Sequence, residues 1–138
     1  MPQDGLSREA AEALAGWATR NRCRLMVLFG SAGRGRTGRL SDLDIAIDLD
    51  PVPIPERRLR MIGEIQELCG DRTADVVFLH RGTDPVLRFE VFRTGRALHE
   101  ASPGAFVSEA VRALAIYEDA LPFRRRLRER VAEHADRP

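Results

Sequence analysis

Between positions 42 and 49 the chain alternates without a break, Asp42, Asp44, Ala46 and Asp48 against Leu43, Ile45, Ile47 and Leu49. A period of two marks a strand with one buried face. It also puts Asp42 and Asp44 on one face, because residues two apart in a strand point the same way. Two neighbouring carboxylates repel, and burying them unpaired is costly. Taken alone, such a pair is most simply a solvated strand face or a loop cap. The chemical alternative is a hard divalent cation, since Mg²⁺ takes one or two carboxylates together with substrate phosphates.

The flanking sequence supplies helices and further strands. Residues 7–20 form an amphipathic helix that Ser7 can cap, with Ala11, Leu14, Trp17 and Ala18 on one side. Residues 24–29 are an apolar run ending at Gly30, suited to a buried strand. Residues 30–40 hold four glycines and three arginines, a loop or a single helical turn. Pro51, Pro53 and Pro55 close the alternating strand. A helix is expected over residues 56–68 with Leu59, Ile62, Ile65 and Leu68 as its apolar stripe and Gly70 as its stop. Residues 74–79 are a third strand. Asp84-Pro85 opens a helix over 84–94, residues 96–100 suit a short edge strand, and Ser102-Pro103 opens a long C-terminal helix bent at Pro122. This order implies an α/β (α+β) chain, a small sheet covered by helices.

Composition narrows the chemistry. The 138 residues fit one domain, with a core over about 8–100 and a helical region over about 102–135. Every one of the 22 basic residues is arginine, so mechanisms that need a lysine nucleophile, a Schiff base or a P-loop lysine are excluded. A formal net charge of +1 gives no general field for nucleic acid, and direct nucleic-acid binding is not expected. No segment reads as a signal peptide or a membrane span, so a cytoplasmic location is expected. Cys23 and Cys69 lack metal or redox spacing and read as buried free thiols. His80, His99 and His134 share no ligand spacing with them, which leaves zinc without a site. Tyr117 sits in an apolar helical stretch that favours packing over catalysis. The arginines at 124–126, 128 and 130 read as a solvated helix face, with a partner-binding or RNA-facing patch as the sharper alternative.

Three pieces carry the functional reading together. Gly30-Ser31 ends a strand, where a glycine lets backbone approach an anion closely. Asp42 and Asp44 open the next strand, and Asp75 leads a third. Two metal ions held by three such carboxylates can clamp the attacking and leaving oxygens of an in-line phosphoryl displacement. Leu-Phe-Gly-Ser at 28–31, Arg34-Gly35, and Ser-Asp-Leu-Asp-Ile-Ala at 41–46 resemble the DNA-polymerase-β-like nucleotidyltransferase superfamily. The stretches at 84–92 and 95–100 look like its minimal stand-alone antitoxin members, the MNT or MntA proteins.

The resemblance implies a small mixed sheet flanked by helices with a C-terminal helical extension. It implies that Gly30 and Ser31 hold the triphosphate of ATP, with Arg34 and Ser41 also on the nucleotide side. Asp42 and Asp44 would bridge two Mg²⁺ ions, and Asp75 would bind the catalytic metal and help deprotonate the acceptor. Many relatives carry a further arginine where this chain has Ala32-Gly33, so the phosphate contact falls to Arg34, Arg36 or Arg39. The partner implied is a HEPN-domain RNase toxin of the HepT kind, held in a hetero-oligomer and modified with AMP on a tyrosine. The alternatives are a small-molecule adenylyltransferase of the aminoglycoside-modifying kind and a non-catalytic module that sequesters the toxin.

Overall fold

The protein is described from a computed structural model covering residues 5–30 and 42–135. Helix α1 spans Arg8–Arg20 and strand β1 Leu25–Phe29. Strand β2 spans Leu43–Asp48, helix α2 Pro55–Cys69 and strand β3 Ala74–Leu79. Helix α3 spans Pro85–Thr94, strand β4 Arg96–Glu100 and helix α4 Ala105–Ala135.

The strands form one mixed sheet in the order β3-β2-β1-β4. β1 runs antiparallel to both β2 and β4, whereas β2 and β3 are parallel. The parallel pair requires a crossover, and α2 supplies it. All five residues of β1 are buried, as a central strand covered on both faces must be.

Each face of the sheet has its own core. Met26 and Leu28 of β1 and Leu43, Ile45 and Ile47 of β2 pack against Leu14, Trp17 and Ala18 of α1 and Met61, Ile65 and Cys69 of α2. On the other face, Leu25, Val27 and Phe29 of β1, Ala46 of β2 and Leu79 of β3 pack against Val91 and Phe92 of α3 and Ala113 of α4. The alternation at 42–49 is thereby explained. Its leucines and isoleucines enter the α1/α2 core, and its aspartates share a face with Ala46 beneath α3 and α4.

Capping follows the sequence. Ser7 Oγ accepts a hydrogen bond from the Ala10 N–H at 3.0 Å, and Asp84 Oδ1 from the Val86 N–H at 2.7 Å. Gly70, with φ of 65°, ends α2. β4 is an edge strand, as expected. Gly95, between α3 and β4, is forced by packing, since a β-carbon there would strike the Val91 carbonyl and the Val27 side chain.

One helix face differs from expectation. The stripe that buries α2 is Met61, Ile65 and Cys69, while Leu59 is 71% exposed. The helix is turned so that a row at i, i+4 and i+8 meets the sheet, and the thioether and thiol take the place expected of leucine. Cys23 and Cys69 are buried and free, and burial pushes the Cys23 thiol up to about 11. Among the described residues, no helix is long and apolar enough to cross a membrane.

Candidate active site

The sheet topology brings two of the three aspartates side by side. Asp44 is opposite Phe29 of β1 on one flank and opposite Asp75 of β3 on the other. Register partners in adjacent strands share a face, so both carboxylates rise from the α3/α4 side of the same sheet end. Asp42 lies two residues before Asp44, just outside the strand and exposed to solvent. Asp75 is exposed as well, while Asp44 is half-buried.

The electrostatics match this placement. The Asp44 carboxyl is pushed above its ordinary value, first by burial and then by the charges of Asp75 and Asp42. Both neighbours are therefore near enough to oppose its ionisation. Among the described residues no three His, Cys, Asp or Glu side chains form a ready-made metal cage. Mg²⁺ does not demand one, because it retains waters and takes substrate phosphate oxygens as ligands. The donor set is oxygen only and repels itself, which suits a hard divalent cation and no soft one.

Gly30 closes the site from the β1 side. It follows Phe29 with φ of 72°, in the left-handed region that glycine occupies freely. A β-carbon at this position would run into the Asp44 carboxylate. The Gly30 N–H donates to Thr94 Oγ1 at 3.0 Å, and the Thr94 hydroxyl donates to the Glu90 carbonyl at 2.7 Å. Since its N–H is engaged, what Gly30 gives the site is the space left by its missing side chain. Thr94 is only 5% exposed and ties the turn to the end of α3. Sequence reasoning missed it. The available signal was a hydroxyl residue directly before Gly95 at the end of a helix. Ser31, Arg34 and Ser41, expected on the nucleotide side, lie outside the described residues, as do Arg36 and Arg39.

A second charged cluster occupies the far end of the same strands. Arg24 Nη2 donates to Glu109 Oε1 at 3.1 Å, and Arg24 Nη1 lies 3.7 Å from Asp48 Oδ2. Arg88 Nη1 lies 3.9 Å from Glu109 Oε2. Glu109 is 8% exposed, so this network fastens α4 to β1, β2 and α3. Asp48 therefore belongs to an ion-pair lock and not to the aspartates at 42, 44 and 75.

The family model described as polymerase beta, nucleotidyltransferase matches residues 14–103, spanning β1 through β4 with all three aspartates. The chain belongs to this nucleotidyltransferase family. Solved structures agree in fold. A chain of a toxin–antitoxin complex with AMP-PNP is 23% identical with a TM-score of 0.75, the match covering 88% of this chain and 98% of that one. An MntA–HepT toxin–antitoxin structure gives 20% identity and a TM-score of 0.72, covering 91% of this chain and 99% of that one. A Shewanella oneidensis structure of a tri-AMPylated HEPN toxin with an MNT antitoxin gives 21% identity and a TM-score of 0.71, covering 89% and 96%. No curated protein matches the chain. The nucleotidyltransferase thus has the fold of minimal MNT-type chains over nearly their whole length.

Proposed function

We propose that this nucleotidyltransferase is an antitoxin that transfers AMP from ATP to a tyrosine hydroxyl of a HEPN-family RNase toxin, with two Mg²⁺ ions. The observation that carries the reading is the pairing of Asp44 with Asp75 across β2 and β3, against a glycine that leaves room beside them. Asp42, Asp44 and Asp75 would hold the metal ions, which when bound neutralise charge on the triphosphate and on the attacking oxygen.

The chain's own residues then act as follows. Gly30 keeps the strand end open for the phosphates, and Thr94 holds that turn in place. Ser31, Arg34 and Ser41 face the nucleotide in this reading. Asp75 takes the proton as the tyrosine oxygen attacks the α-phosphorus. A bond forms between the phenolic oxygen and that phosphorus, the bond to the β-phosphate bridging oxygen breaks, and pyrophosphate leaves. The protein acceptor is supported by the described residues, whose four strands and four helices form one sheet-based body with no second unit beside it. It is supported too by fold likeness to chains solved with an AMPylated HEPN toxin. Dependence on ATP fits a cytoplasmic reaction.

The test is incubation of the protein and a HEPN partner with labelled ATP and Mg²⁺. Label on the partner, released as AMP-tyrosine, supports the proposal. Label that appears only on an added aminoglycoside points to the small-molecule alternative, and tight binding without any label to a sequestering module.

A further inference from the structure

α3 and α4 lie antiparallel. Phe92 near the end of α3 meets Phe106, Phe89 stacks on Tyr117 with ring centroids 4.2 Å apart, and Asp84 at the start of α3 meets Arg124. Among the described residues no element pairs with α4 beyond Arg124, and residues 125–134 are exposed. The arm nevertheless keeps an apolar seam. Phe123, Leu127 and Val131 are 68%, 52% and 62% exposed. With the half-buried Ala120 they recur at intervals of three, four and four residues, which places them along one helix face.

Charge is distributed about that seam in an ordered way. At roughly 100° per residue, Arg126 and Arg130 border it on one side and Arg124 and Arg128 on the other. The acidic residues Glu129 and Glu133 lie toward the back of the helix, where Glu129 pairs with Arg125 at 3.6 Å. Among the described residues no ion pair takes up Arg126, Arg128 or Arg130. Arg124 shows what such a border can grip, because its Nη2 lies 3.0 and 3.2 Å from the two oxygens of Asp84.

We infer that residues 120–134 of α4 are a docking arm for an amphipathic helix of a protein partner whose apolar stripe is edged by aspartate or glutamate. A second copy of this chain fits poorly, since pairing two such seams sets arginine rows against arginine rows. RNA fits poorly as well, because a phosphate backbone gains nothing from a row of phenylalanine, leucine and valine. The arm leaves the body at the α3 terminus opposite Thr94, the residue bonded to Gly30. The ten residues of α3 span about 15 Å, so a partner gripped here is held one helix length from the Thr94 end of α3. This grip goes beyond the transfer reaction and stands whether or not the partner accepts AMP.

The test uses the full chain and two synthetic helical peptides with the same leucine seam, one edged by glutamate and one by lysine. Fluorescence anisotropy reads their binding. The glutamate peptide should bind at low salt and the lysine peptide should not. Phe123→Ala with Leu127→Ala should weaken binding about tenfold or more, and Arg126→Glu with Arg130→Glu should shift preference toward the lysine peptide. These positions are exposed, and circular dichroism checks that each variant stays folded. The inference is overturned if the glutamate peptide fails to bind, if the two peptides bind alike, or if Phe123→Ala with Leu127→Ala binds as wild type. Sedimentation as a dimer that Leu127→Ala dissolves, or binding of a single-stranded RNA oligonucleotide that ignores the apolar changes, would overturn it as well.

Discussion

Gly30 lies so close to Asp44 that a β-carbon on the glycine would displace the carboxylate. The strand end before the aspartates and the first aspartate inside β2 therefore share one space. Gly30→Ala should harm the protein twice. The left-handed φ of 72° costs a residue with a β-carbon about 1–2 kcal/mol, and the new methyl group displaces the Asp44 carboxylate from the place it holds beside Gly30. Thermal unfolding should show the stability loss, and kcat/KM for ATP in the folded variant should fall at least about tenfold.

Asp44 also sets a pH dependence. Its carboxyl is raised above the ordinary 3.8, so the folded protein holds this proton more tightly than the unfolded chain does. The resulting stability is fully present below the unfolded value and is lost as pH rises through the folded one. At neutral pH the apoprotein carries the repulsion among Asp42, Asp44 and Asp75. Asp44→Asn should accordingly melt higher than wild type at pH 7 without metal, with the gap closing toward pH 4. Millimolar Mg²⁺ should raise the melting point of wild type more than that of Asp44→Asn. Equal Mg²⁺ shifts in the two proteins would count against metal binding here.

Glu109 is expected to matter for stability alone. It is buried between Arg24, which is half-exposed, and Arg88. Glu109→Ala leaves Arg88 with a weaker environment and loosens α4 from the sheet, at a cost of about 1–3 kcal/mol. Urea unfolding measures the loss. Nucleotide KM should stay unchanged, because the network sits at the opposite end of β1 and β2 from Asp44.

Much of this was legible in the sequence, and particular residues show where legibility stopped. The period of two at 42–49 placed Asp44 on a shared face with Ala46, and the caps Ser7 and Asp84 fixed two helix starts. The phase of α2 was not legible. Met61 and Cys69 carry the burial there, while the more apolar Leu59 faces water, because the tilt of a helix on a sheet is a tertiary property. Asp75 was expected beside the aspartates of β2, but the direction and register of β3 were not legible, so that it stands opposite Asp44 came from the fold. Asp48 has the same spacing as its siblings yet belongs to the lock with Arg24, a difference set by which strand end it occupies. Thr94 escaped notice because its role depends on Gly30, 64 residues away in the chain. Tyr117 packs, as its apolar helical stretch suggested, by stacking on Phe89.

The most direct test of the central claim is the intact mass of a HEPN-family toxin co-expressed with this chain. The account expects the toxin to gain mass in units of AMP on a tyrosine when ATP and Mg²⁺ are present. It expects that gain to vanish with Asp44→Asn or Asp75→Asn while the two chains still co-purify. An unmodified toxin beside the wild-type chain, or full modification by folded Asp44→Asn, would contradict it.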